Sequence, residues 1–339
     1  MSLKLRVNIK KLKENILNMK EHLREKNIEM VLVTKMFSAN NDILKEIDDL
    51  SLNYIGESRI ESLKKLSELK TKKMLIRTPS MEEIEDLARY ADRSVHTNIY
   101  TVKELDKYLY GPHLVDLMVE MGDLREGYYS KEELFSDIQT ILNLKYVKLN
   151  GIGMNLTCLN GVISTKQKID YLRGLKSEIE DRFNLKNLNI SAGNSSAIVQ
   201  AYSTEDFQGL ELRLGEGIYL ARDTVEARNP FNLNEDVFAL SADLIELKEK
   251  PREPYEDKEV DCQKMLRGIL NIGKACIDLD LRSLNENVEI IGATSDHMVV
   301  EVKDRNIKLF DELYFSPGYG SLVKIFSTSY VEIELEDRW

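Results

Sequence analysis

The feature that most constrains the fold is a regular alternation of short apolar segments with amphipathic ones. Apolar residues at helical spacing, such as Leu12, Ile16, Met19 and Leu23, predict helices between the apolar segments. Eight strands are predicted near residues 31, 54, 75, 95, 117, 150, 189 and 212. Strands that alternate with helices form parallel sheets, and eight such units close a barrel. The sequence therefore predicts an α/β protein built on a (β/α)8 TIM barrel.

The pattern changes after residue 234, where helical spacing largely disappears. An open, doubly wound sheet is the alternative to the barrel, but no GxGxxG motif follows the first predicted strand. Further strands are predicted at residues 236–246, 267–272, 288–291, 298–302 and 331–335. We therefore expect a barrel domain at residues 1–233 and a C-terminal, mostly-β domain at residues 234–339.

Composition excludes several classes of protein. The chain has 47 Lys and Arg against 58 Asp and Glu, a net charge of −11, which argues against nucleic acid or an anionic membrane as partner. No apolar run approaches the ~20 residues of a membrane span, and the N-terminus lacks a signal-peptide core. Cys158, Cys262 and Cys276 form no CxxC pair, which fits the cytoplasm. The four histidines lack metal-ligand spacing, so we expect no metal site.

Lys35 ends the first predicted barrel strand, at the edge where barrels place their active sites. Lysine is seldom buried unless it is paired or used, although here it could also extend to solvent. Partial burial favours the nucleophilic amine, so Schiff-base chemistry is the functional interpretation. Other polar residues at predicted strand ends are Arg77, His96, Glu120, Arg125, Asn155, Asn194 and Arg213.

Two glycine-containing loops, residues 192–196 and 213–217, follow the last two barrel strands. Barrels often hold a phosphate there, because glycines let backbone N–H groups approach an anion. Ordinary turn glycines and a helix-capping serine are the alternative interpretation. A phosphate site on the same face as Lys35 indicates pyridoxal 5'-phosphate, with Arg213 as a donor to its pyridine nitrogen that keeps its own proton.

Motifs along nearly the whole chain resemble the alanine racemase N-terminal domain family, and their order resembles its ornithine racemase type. They are Val-Thr-Lys at 33–35, Ile-Gly-Glu-Ser-Arg at 55–59, Gly-Asp-Leu-Arg-Glu-Gly at 122–127, Gly-Asn-Ser-Ser at 193–196, Leu-Arg-Leu-Gly-Glu at 212–216 and Ser-Asp-His at 295–297. The resemblance implies an isomerase, a pyridoxal-phosphate-dependent racemase of an ornithine-like amino acid or alanine. It also implies a homodimer with an active site shared between subunits.

The resemblance also implies which residues bind the cofactor. They are Lys35, Arg125, Asn155, Asn194, Ser195, Arg213, Gly215, Glu216 and Tyr319. Asn155 stands where alanine racemases have a histidine against the pyridine ring, and the hydroxyl of Tyr319 would reach the phosphate. Alanine racemases have a tyrosine four residues after the lysine, but this chain has Ala39, so one phosphate contact is missing or replaced.

Racemisation requires proton removal on one face of a carbon and proton return on the other. The resemblance implies that Lys35 acts on one face and that Tyr255, from the partner subunit, acts on the other. A surface-loop tyrosine is the alternative interpretation of Tyr255, because the region 250–261 is shorter here than in ornithine-type relatives. Arg125 and an Asp296 from the partner subunit are implied in substrate binding.

Two other functions share parts of this pattern. Decarboxylases of basic amino acids have the same two-domain plan, but they typically place a glutamate, not an arginine such as Arg213, by the pyridine nitrogen. Non-catalytic pyridoxal-phosphate homeostasis proteins resemble the barrel but lack the β domain. The substrate stays open, since Glu120, Glu216 and Asp296 could each receive a distal ammonium group.

Overall fold

The computed structural model describes residues 3–256 and 263–337 and contains a closed barrel and a separate β sheet. Strand β1 (Leu3–Asn8) precedes the barrel. The barrel strands are β2 (Glu29–Val33), β3 (Tyr54–Glu57), β4 (Lys72–Leu75), β5 (Arg93–His96), β6 (His113–Met118), β7 (Val147–Gly153), β8 (Asn189–Ser191) and β9 (Glu211–Leu214). Each pairs in parallel with the next, and β9 pairs with β2. The eight predicted strands and the TIM barrel are confirmed.

Helices alternate with these strands, as the apolar spacing predicts. They are α1 (Ile9–Glu25), α2 (Asn41–Asp48), α3 (Ile60–Lys65), α4 (Ile84–Tyr90), α5 (Ile99–Tyr108), α6 (Lys131–Ile141), α7 (Lys166–Phe183), α8 (Ile198–Ser203) and α9 (Glu216–Tyr219). Polar side chains cap several of them: Asn40, Asn98, Ser130 and Thr165 each accept from a backbone N–H in the first turn. Short 3-10 helices lie at Lys35–Phe37, Met81–Glu83 and Ser195–Ala197. None of the helices in the described residues is long and apolar enough to cross a membrane.

The second part of the chain forms the predicted mostly-β sheet. Its elements are β10 (Phe238–Pro251), β11 (Lys264–Leu270), β12 (Leu281–Ser283), β13 (Val288–Ala293), β14 (Met298–Val302), β15 (Glu312–Pro317), α10 (Tyr319–Ser327) and β16 (Val331–Glu336). The sheet order is β12-β15-β10-β11-β14-β13, with β1 between β10 and β16. The sequence pattern did not predict α10, whose buried face is short: Ser321, Leu322 and Ile325.

Two compact units divide the chain. One holds residues 13–35 and 39–233, and the other holds the described residues up to Leu12, residues 36–38 and those from Asn234 onward. The predicted domain boundary between residues 233 and 234 places the N-terminal residues of the chain in the barrel domain. In the structure Leu5 pairs with Leu240 on β10 and with Ile333 on β16, and it is fully buried. Local sequence carried no signal for this pairing, because both partners are more than 200 residues away.

An ionic network lies inside the barrel. Arg93 Nε donates to Asp116 Oδ2 at 2.5 Å, and its two Nη atoms donate to Glu211 at 2.6 and 2.9 Å. Asn150 Nδ2 adds a donor to Asp116 at 2.8 Å. Arg93 is on β5 and Glu211 is on β9, so their contact crosses the interior rather than following neighbouring strands. Burial raises the pKa of Asp116 against the opposing effect of Arg93.

Apolar side chains fill the interior beside this network. Val31, Met74, Val95 and Met118, from four different strands, form one buried cluster with Tyr54 and Ile76 packed against it. Arg93 and Val95 are two residues apart on β5 and face the same side, so a charged layer and an apolar layer follow each other along the barrel axis. The interior is therefore a packed core, and a ligand has room only at an edge of the barrel.

We expect Arg93→Leu to lower the free energy of unfolding by about 3–5 kcal/mol, because it leaves the buried carboxyl groups of Asp116 and Glu211 without their cation. Urea unfolding followed by circular dichroism measures this. The loss should shrink as the pH is lowered, since protonation then neutralises the carboxylates. Arg89→Leu is the control, because Arg89 pairs with Glu85 on an exposed helix face and should change little. A loss below 1 kcal/mol for Arg93→Leu would show that the network does not stabilise the barrel.

Candidate active site

Lys35 lies at the carboxyl edge of the barrel, directly after β2. The N–H of the preceding residue, Thr34, donates to Gly56 O at 3.0 Å and extends the pairing of β2 with β3 by one residue. Thr34 is fully buried, whereas Lys35 begins a 3-10 helix and is exposed. Within the described part of the chain, no hydrogen bond or ion pair occupies the Lys35 ammonium group. The strand end therefore presents an accessible lysine on a rigid backbone.

A buried carboxyl group lies beside this lysine. Glu57, the last residue of β3, is 1% exposed, and its Oε1 accepts from Thr34 Oγ1 at 2.6 Å. Burial raises the pKa of Glu57 to about 7, although Thr34, the Ser58 N–H and the charge of Lys35 act in the opposite direction. Glu57 was not among the predicted site residues. The signal was a carboxylate at a predicted strand end next to a lysine-bearing strand.

Arg213 on β9 is buried at the same edge. Its Nη2 donates to Met154 O at 2.8 Å, and its Nη1 donates to Ser191 Oγ. Arg213 lies two residues beyond Glu211, so the two side chains face the same side of β9. Burial lowers the pKa of Arg213, while Glu211 and Asp116 oppose that effect. The guanidinium group is therefore fixed in place by neutral acceptors.

The two predicted glycine loops converge around Ser195. Its Oγ accepts from Gly217 N at 3.0 Å and from Gly215 N at 3.4 Å. A Cβ atom on Gly215 would lie 2.6 Å from Val33 O, and one on Gly217 would lie 2.2 Å from Ile198 Cδ1. At residue 215 only glycine fits, because the close atom belongs to the Val33 backbone, whereas at residue 217 it is the end of the Ile198 side chain. The two N–H groups hold the Ser195 oxygen, so the Ser195 hydroxyl hydrogen is directed outward as a donor, which fits the phosphate group of pyridoxal 5'-phosphate.

Three polar side chains from different loops meet at the carboxyl edge of the barrel: Arg125, Asn155 and Asn194. The Asn155 amide accepts from Asn194 Nδ2 at 2.8 Å in one orientation and from Arg125 Nη1 at 3.1 Å in the other. Asn194 Nδ2 also donates to Leu156 O at 2.9 Å. Arg125 forms a two-point ion pair with Glu126. Three loops, after β6, β7 and β8, thus converge here, as the strand-end rule predicts.

Asp123 holds two of these loops together. Its carboxylate accepts from the backbone N–H groups of Cys158, Leu159, Asn160 and Val162 at 3.0, 3.0, 3.1 and 3.3 Å. Burial raises its pKa, but these N–H groups outweigh burial and the net pKa is lowered. Asp123 lies two residues before Arg125, and Cys158 lies three residues after Asn155. The carboxylate therefore fixes the spacing between the segments that carry Arg125 and Asn155.

Arg77 and His96, two other strand-end candidates, bind protein groups instead. Arg77 pairs with Glu83 and donates to Ser58 O. His96 is fully buried, with Nδ1 2.8 Å from Thr101 Oγ1 and Nε2 2.8 Å from Ser94 Oγ. Burial lowers the pKa of His96 to about 3, so the ring is neutral. Both side chains tie strand ends to the following helices.

The remaining predicted site residues, Tyr255, Asp296 and Tyr319, belong to the β unit. Tyr255 is 49% exposed after β10, and the region 250–261 lies partly outside the described residues, as does Cys262. Asp296 is exposed between β13 and β14, and its Oδ2 accepts from Ser295 Oγ at 2.8 Å. Tyr319 begins α10 and is half-buried. The three lie on separate elements of this unit.

A second aspartate fixes the position of Tyr319. Asp280 Oδ2 accepts from Gly320 N at 2.8 Å, and its Oδ1 accepts from Ser321 N at 3.0 Å. Gly318 N donates to Asp280 O at 2.8 Å, so one residue binds both sides of Tyr319. A Cβ atom on Gly318 would lie 2.5 Å from the Asp280 carboxylate, which explains why glycine stands there. The backbone of Tyr319 is therefore rigidly placed.

This chain is similar to known proteins over almost its full length. Residues 7–223 match the family described as alanine racemase, N-terminal domain. The chain is 39% identical to the ornithine racemase of Acetoanaerobium sticklandii, over 98% of this chain and 99% of that protein. It is 28% identical to the lysine racemase of Thermotoga maritima, over 97% of each chain.

Solved structures of low sequence identity share the fold. The alanine racemase from Streptomyces coelicolor superposes with a TM-score of 0.80 at 14% identity, covering 99% of this chain and 98% of that chain. The alanine racemase of Clostridium difficile in complex with cycloserine gives a TM-score of 0.76 at 15% identity, covering 100% and 97%. The barrel and the β domain together therefore form an architecture found in known enzymes.

We expect Asp123→Asn to lower the free energy of unfolding by about 1–3 kcal/mol, because an amide offers one acceptor oxygen in place of two. The pKa of Asp123 is lowered by folding, so this carboxylate stabilises the protein fully above the pKa of an unfolded Asp. The stabilisation is lost as the pH falls through the lower, folded value. The difference in urea midpoint between wild type and variant should therefore shrink below about pH 4. Asp170→Asn is the control, because Asp170 pairs with Lys166 on an exposed helix face. Equal effects of the two substitutions would contradict a stabilising role of the Asp123 carboxylate.

Proposed function

We propose that this chain, which belongs to the alanine racemase family, racemises a basic amino acid such as ornithine or lysine with pyridoxal 5'-phosphate bound at Lys35. The chain is an amino-acid racemase, an isomerase, and the proposal concerns its substrate, its cofactor site and its assembly. One observation carries it: an accessible lysine, a buried arginine and a serine hydroxyl held by two glycine N–H groups share one barrel edge. The named activities of the two relatives, on ornithine and on lysine, support a basic substrate.

The residues at the barrel edge fit each part of the cofactor. Ser195 and the backbone of Gly215 and Glu216 would hold the phosphate, together with Asn194 nearby and Tyr319. Asn155 and Arg125 would contact the ring and its hydroxyl group. When bound, pyridoxal 5'-phosphate supplies an electron-withdrawing ring that makes the Cα–H bond of an amino acid more acidic.

Arg213 supports racemisation over decarboxylation. Its guanidinium group keeps its proton, so it would donate a hydrogen bond to the ring nitrogen of the cofactor without protonating it. A carboxylate in that place would keep the nitrogen protonated and the ring a stronger electron sink. The neutral acceptors Ser191 and Met154 hold Arg213 in position, so the group does not depend on a ligand for its orientation.

Two opposed groups would move the proton. The Lys35 amine would remove the Cα proton on one face, and the Tyr255 phenol of the partner subunit would deliver a proton on the other face. The reverse reaction exchanges these roles. A homodimer follows from this arrangement, because Tyr255 and Asp296 would act on the neighbouring subunit's barrel. We further propose a cytoplasmic location, which the free thiols of Cys158 and Cys276 support.

A carboxylate near the site would bind the distal ammonium of the substrate, and Asp296 is the best candidate. Glu216 lies 3.8 Å from the cation of Arg222, and Glu120 Oε1 accepts from Leu124 N at 3.1 Å. Among the described contacts of Asp296, the hydrogen-bond partner is a neutral hydroxyl, so its negative charge is not balanced by a cation. Arg125 would bind the substrate α-carboxylate at the other end.

The first test is cofactor attachment. Protein supplied with pyridoxal 5'-phosphate should show a visible absorbance band, and borohydride should leave a pyridoxyl group on the Lys35 peptide in mass spectrometry. Lys35→Ala should lose both signals, because no other predicted site residue carries a primary amine. Lys45→Ala, an exposed lysine on α2, is the matched control. Attachment at another lysine, or no attachment, would overturn the cofactor site.

The second part of that test uses both enantiomers of ornithine, lysine and alanine. Turnover, followed by chiral chromatography, should be about 10–100-fold faster for a basic amino acid than for alanine, because alanine lacks the distal ammonium. Lys35→Ala should be inactive on all of them. Faster turnover of alanine would overturn the proposed substrate class while leaving the reaction class intact.

We expect Tyr255→Phe to lower the racemisation rate by at least about 100-fold, because it removes one of the two proton-transferring groups. In deuterated water the variant should still exchange the Cα hydrogen of one enantiomer without inverting it, since Lys35 remains. Tyr330→Phe, at a 74% exposed tyrosine of the same unit, is the control. Racemisation near the wild-type rate in Tyr255→Phe would assign the second proton to another group.

A further inference from the structure

A tyrosine hydroxyl binds the backbone of β2 just beyond the end of its pairing with β9. The paired residues of β2 on this side end at Leu32, which lies opposite Leu214. The carbonyl oxygen of the next residue, Val33, accepts from the hydroxyl of Tyr219 at 2.9 Å. Tyr219 is the last residue of α9, which follows β9, and it is fully buried. A side-chain donor therefore satisfies a buried carbonyl group where the backbone ladder has ended.

The peptide unit between Val33 and Thr34 is held at both of its polar atoms. Its oxygen accepts from Tyr219, and its N–H group, that of Thr34, donates to Gly56 O at 3.0 Å. Because a peptide unit is planar, it cannot rotate without breaking one of these two bonds. Lys35 is the residue that follows, so the two hydrogen bonds fix the point from which its backbone begins.

The same tyrosine is tied to the glycine donors of Ser195. Tyr219 N donates to Gly215 O at 3.1 Å, one helical turn away. Gly215 N and Gly217 N in turn donate to Ser195 Oγ at 3.4 and 3.0 Å. A Cβ atom at residue 215 would lie 2.6 Å from Val33 O, so a side chain there would crowd the oxygen that Tyr219 binds. Two groups of the candidate site, the lysine strand and the serine with its donors, are therefore connected through one side chain.

We propose that Tyr219 is a positioning residue that sets the spacing between Lys35 and Ser195. The role deepens the proposed function, on which it rests, because that function places the phosphate of the cofactor at Ser195 and its aldehyde at Lys35. A molecule bound at two points gains from the second point only when the spacing of the points matches its own. The Tyr219 hydroxyl acts through the backbone of Val33 and not on the cofactor itself.

Two aldehydes distinguish an effect on spacing from an effect on stability. Pyridoxal 5'-phosphate carries the phosphate and the aldehyde, whereas pyridoxal carries the aldehyde alone. Each is titrated into the full chain freed of cofactor, borohydride fixes the attached molecules, and mass spectrometry measures the modified fraction of the Lys35 peptide. The ratio of the two attachment constants is the readout, because it gives the advantage that the phosphate confers. The variant is Tyr219→Phe, which removes the hydroxyl and keeps the buried ring.

We expect Tyr219→Phe to weaken attachment of pyridoxal 5'-phosphate about 3–10-fold, which corresponds to one lost hydrogen bond. Attachment of pyridoxal should not change, because a molecule without a phosphate can follow the lysine wherever it lies. The ratio should therefore fall by the same factor. Tyr128→Phe is the matched control, since Tyr128 is also buried and its hydroxyl donates to Asp137 at 2.7 Å, so this variant should keep the wild-type ratio.

Pyridoxamine 5'-phosphate, which has the phosphate but no aldehyde, tests the other point alone. Its affinity should be the same in wild type and Tyr219→Phe. A loss equal to that of pyridoxal 5'-phosphate would assign the effect to the surroundings of Ser195 and overturn the spacing role. An equal loss for the two aldehydes, or an unchanged ratio, would overturn it as well, because a general loss of stability weakens both aldehydes alike.

Amide hydrogen exchange of the wild-type chain gives a second measurement that needs no substitution. Inorganic phosphate is the probe, and it should slow exchange both in the peptide of residues 215–217 and in the peptide that contains Thr34. A peptide of residues 93–96, on β5, should not respond. Protection at residues 215–217 without protection at Thr34 would contradict the connection through Tyr219.

The wild-type ratio separates failure of this role from failure of the proposed function. If wild-type protein attached both aldehydes equally well, the phosphate part of the proposed function would fail, and the role of Tyr219 with it. If wild-type protein prefers pyridoxal 5'-phosphate and Tyr219→Phe keeps the full preference, the role of Tyr219 alone is overturned.

Discussion

The site depends on the closure of the barrel around the ionic network of Arg93, Asp116 and Glu211. Arg93 joins β5 to β9 across the interior, and these side chains leave room for a ligand only at the edge. Breaking one member would leave buried charge uncompensated, which constrains the register of the strands concerned. On β9 that register places Glu211 in the network and Arg213 two residues further, at the carboxyl edge. One interaction in the core therefore positions Arg213, a candidate cofactor-binding group.

Positive charge collects at this edge although the chain as a whole has a net charge of −11. Lys35, Arg125 and Arg213 follow or lie on three different barrel strands, and the Ser195 hydroxyl, held by the N–H groups of Gly215 and Gly217, adds a further donor. Anionic cofactors and carboxylate substrates match such a surface. Glu126 partly balances this charge through an ion pair with Arg125.

An aspartate holds loop backbone in each of the two units. The Asp123 carboxylate binds the backbone of residues 158–162, and Asp280 binds the backbone on both sides of Tyr319. In a regular sheet, such backbone N–H groups would donate to a neighbouring strand; here the two aspartates are their acceptors. Preorganisation of this kind fixes candidate binding groups before a ligand arrives, so less free energy is lost in ordering them on binding.

The sequence by itself determined the barrel, the mostly-β domain and the strand ends at which Lys35 and Arg213 lie. Apolar periodicity encodes strands and helices locally, and parallel strands bring their carboxyl ends together, so these features needed no coordinates. The tertiary structure alone decided that β1 joins the β sheet, that Arg93 reaches Glu211 and that Glu57 binds Thr34. Each of these contacts joins residues distant in the chain through a buried surface. Local sequence carries no signal for such pairs, because their free energy depends on the neighbours that folding brings together.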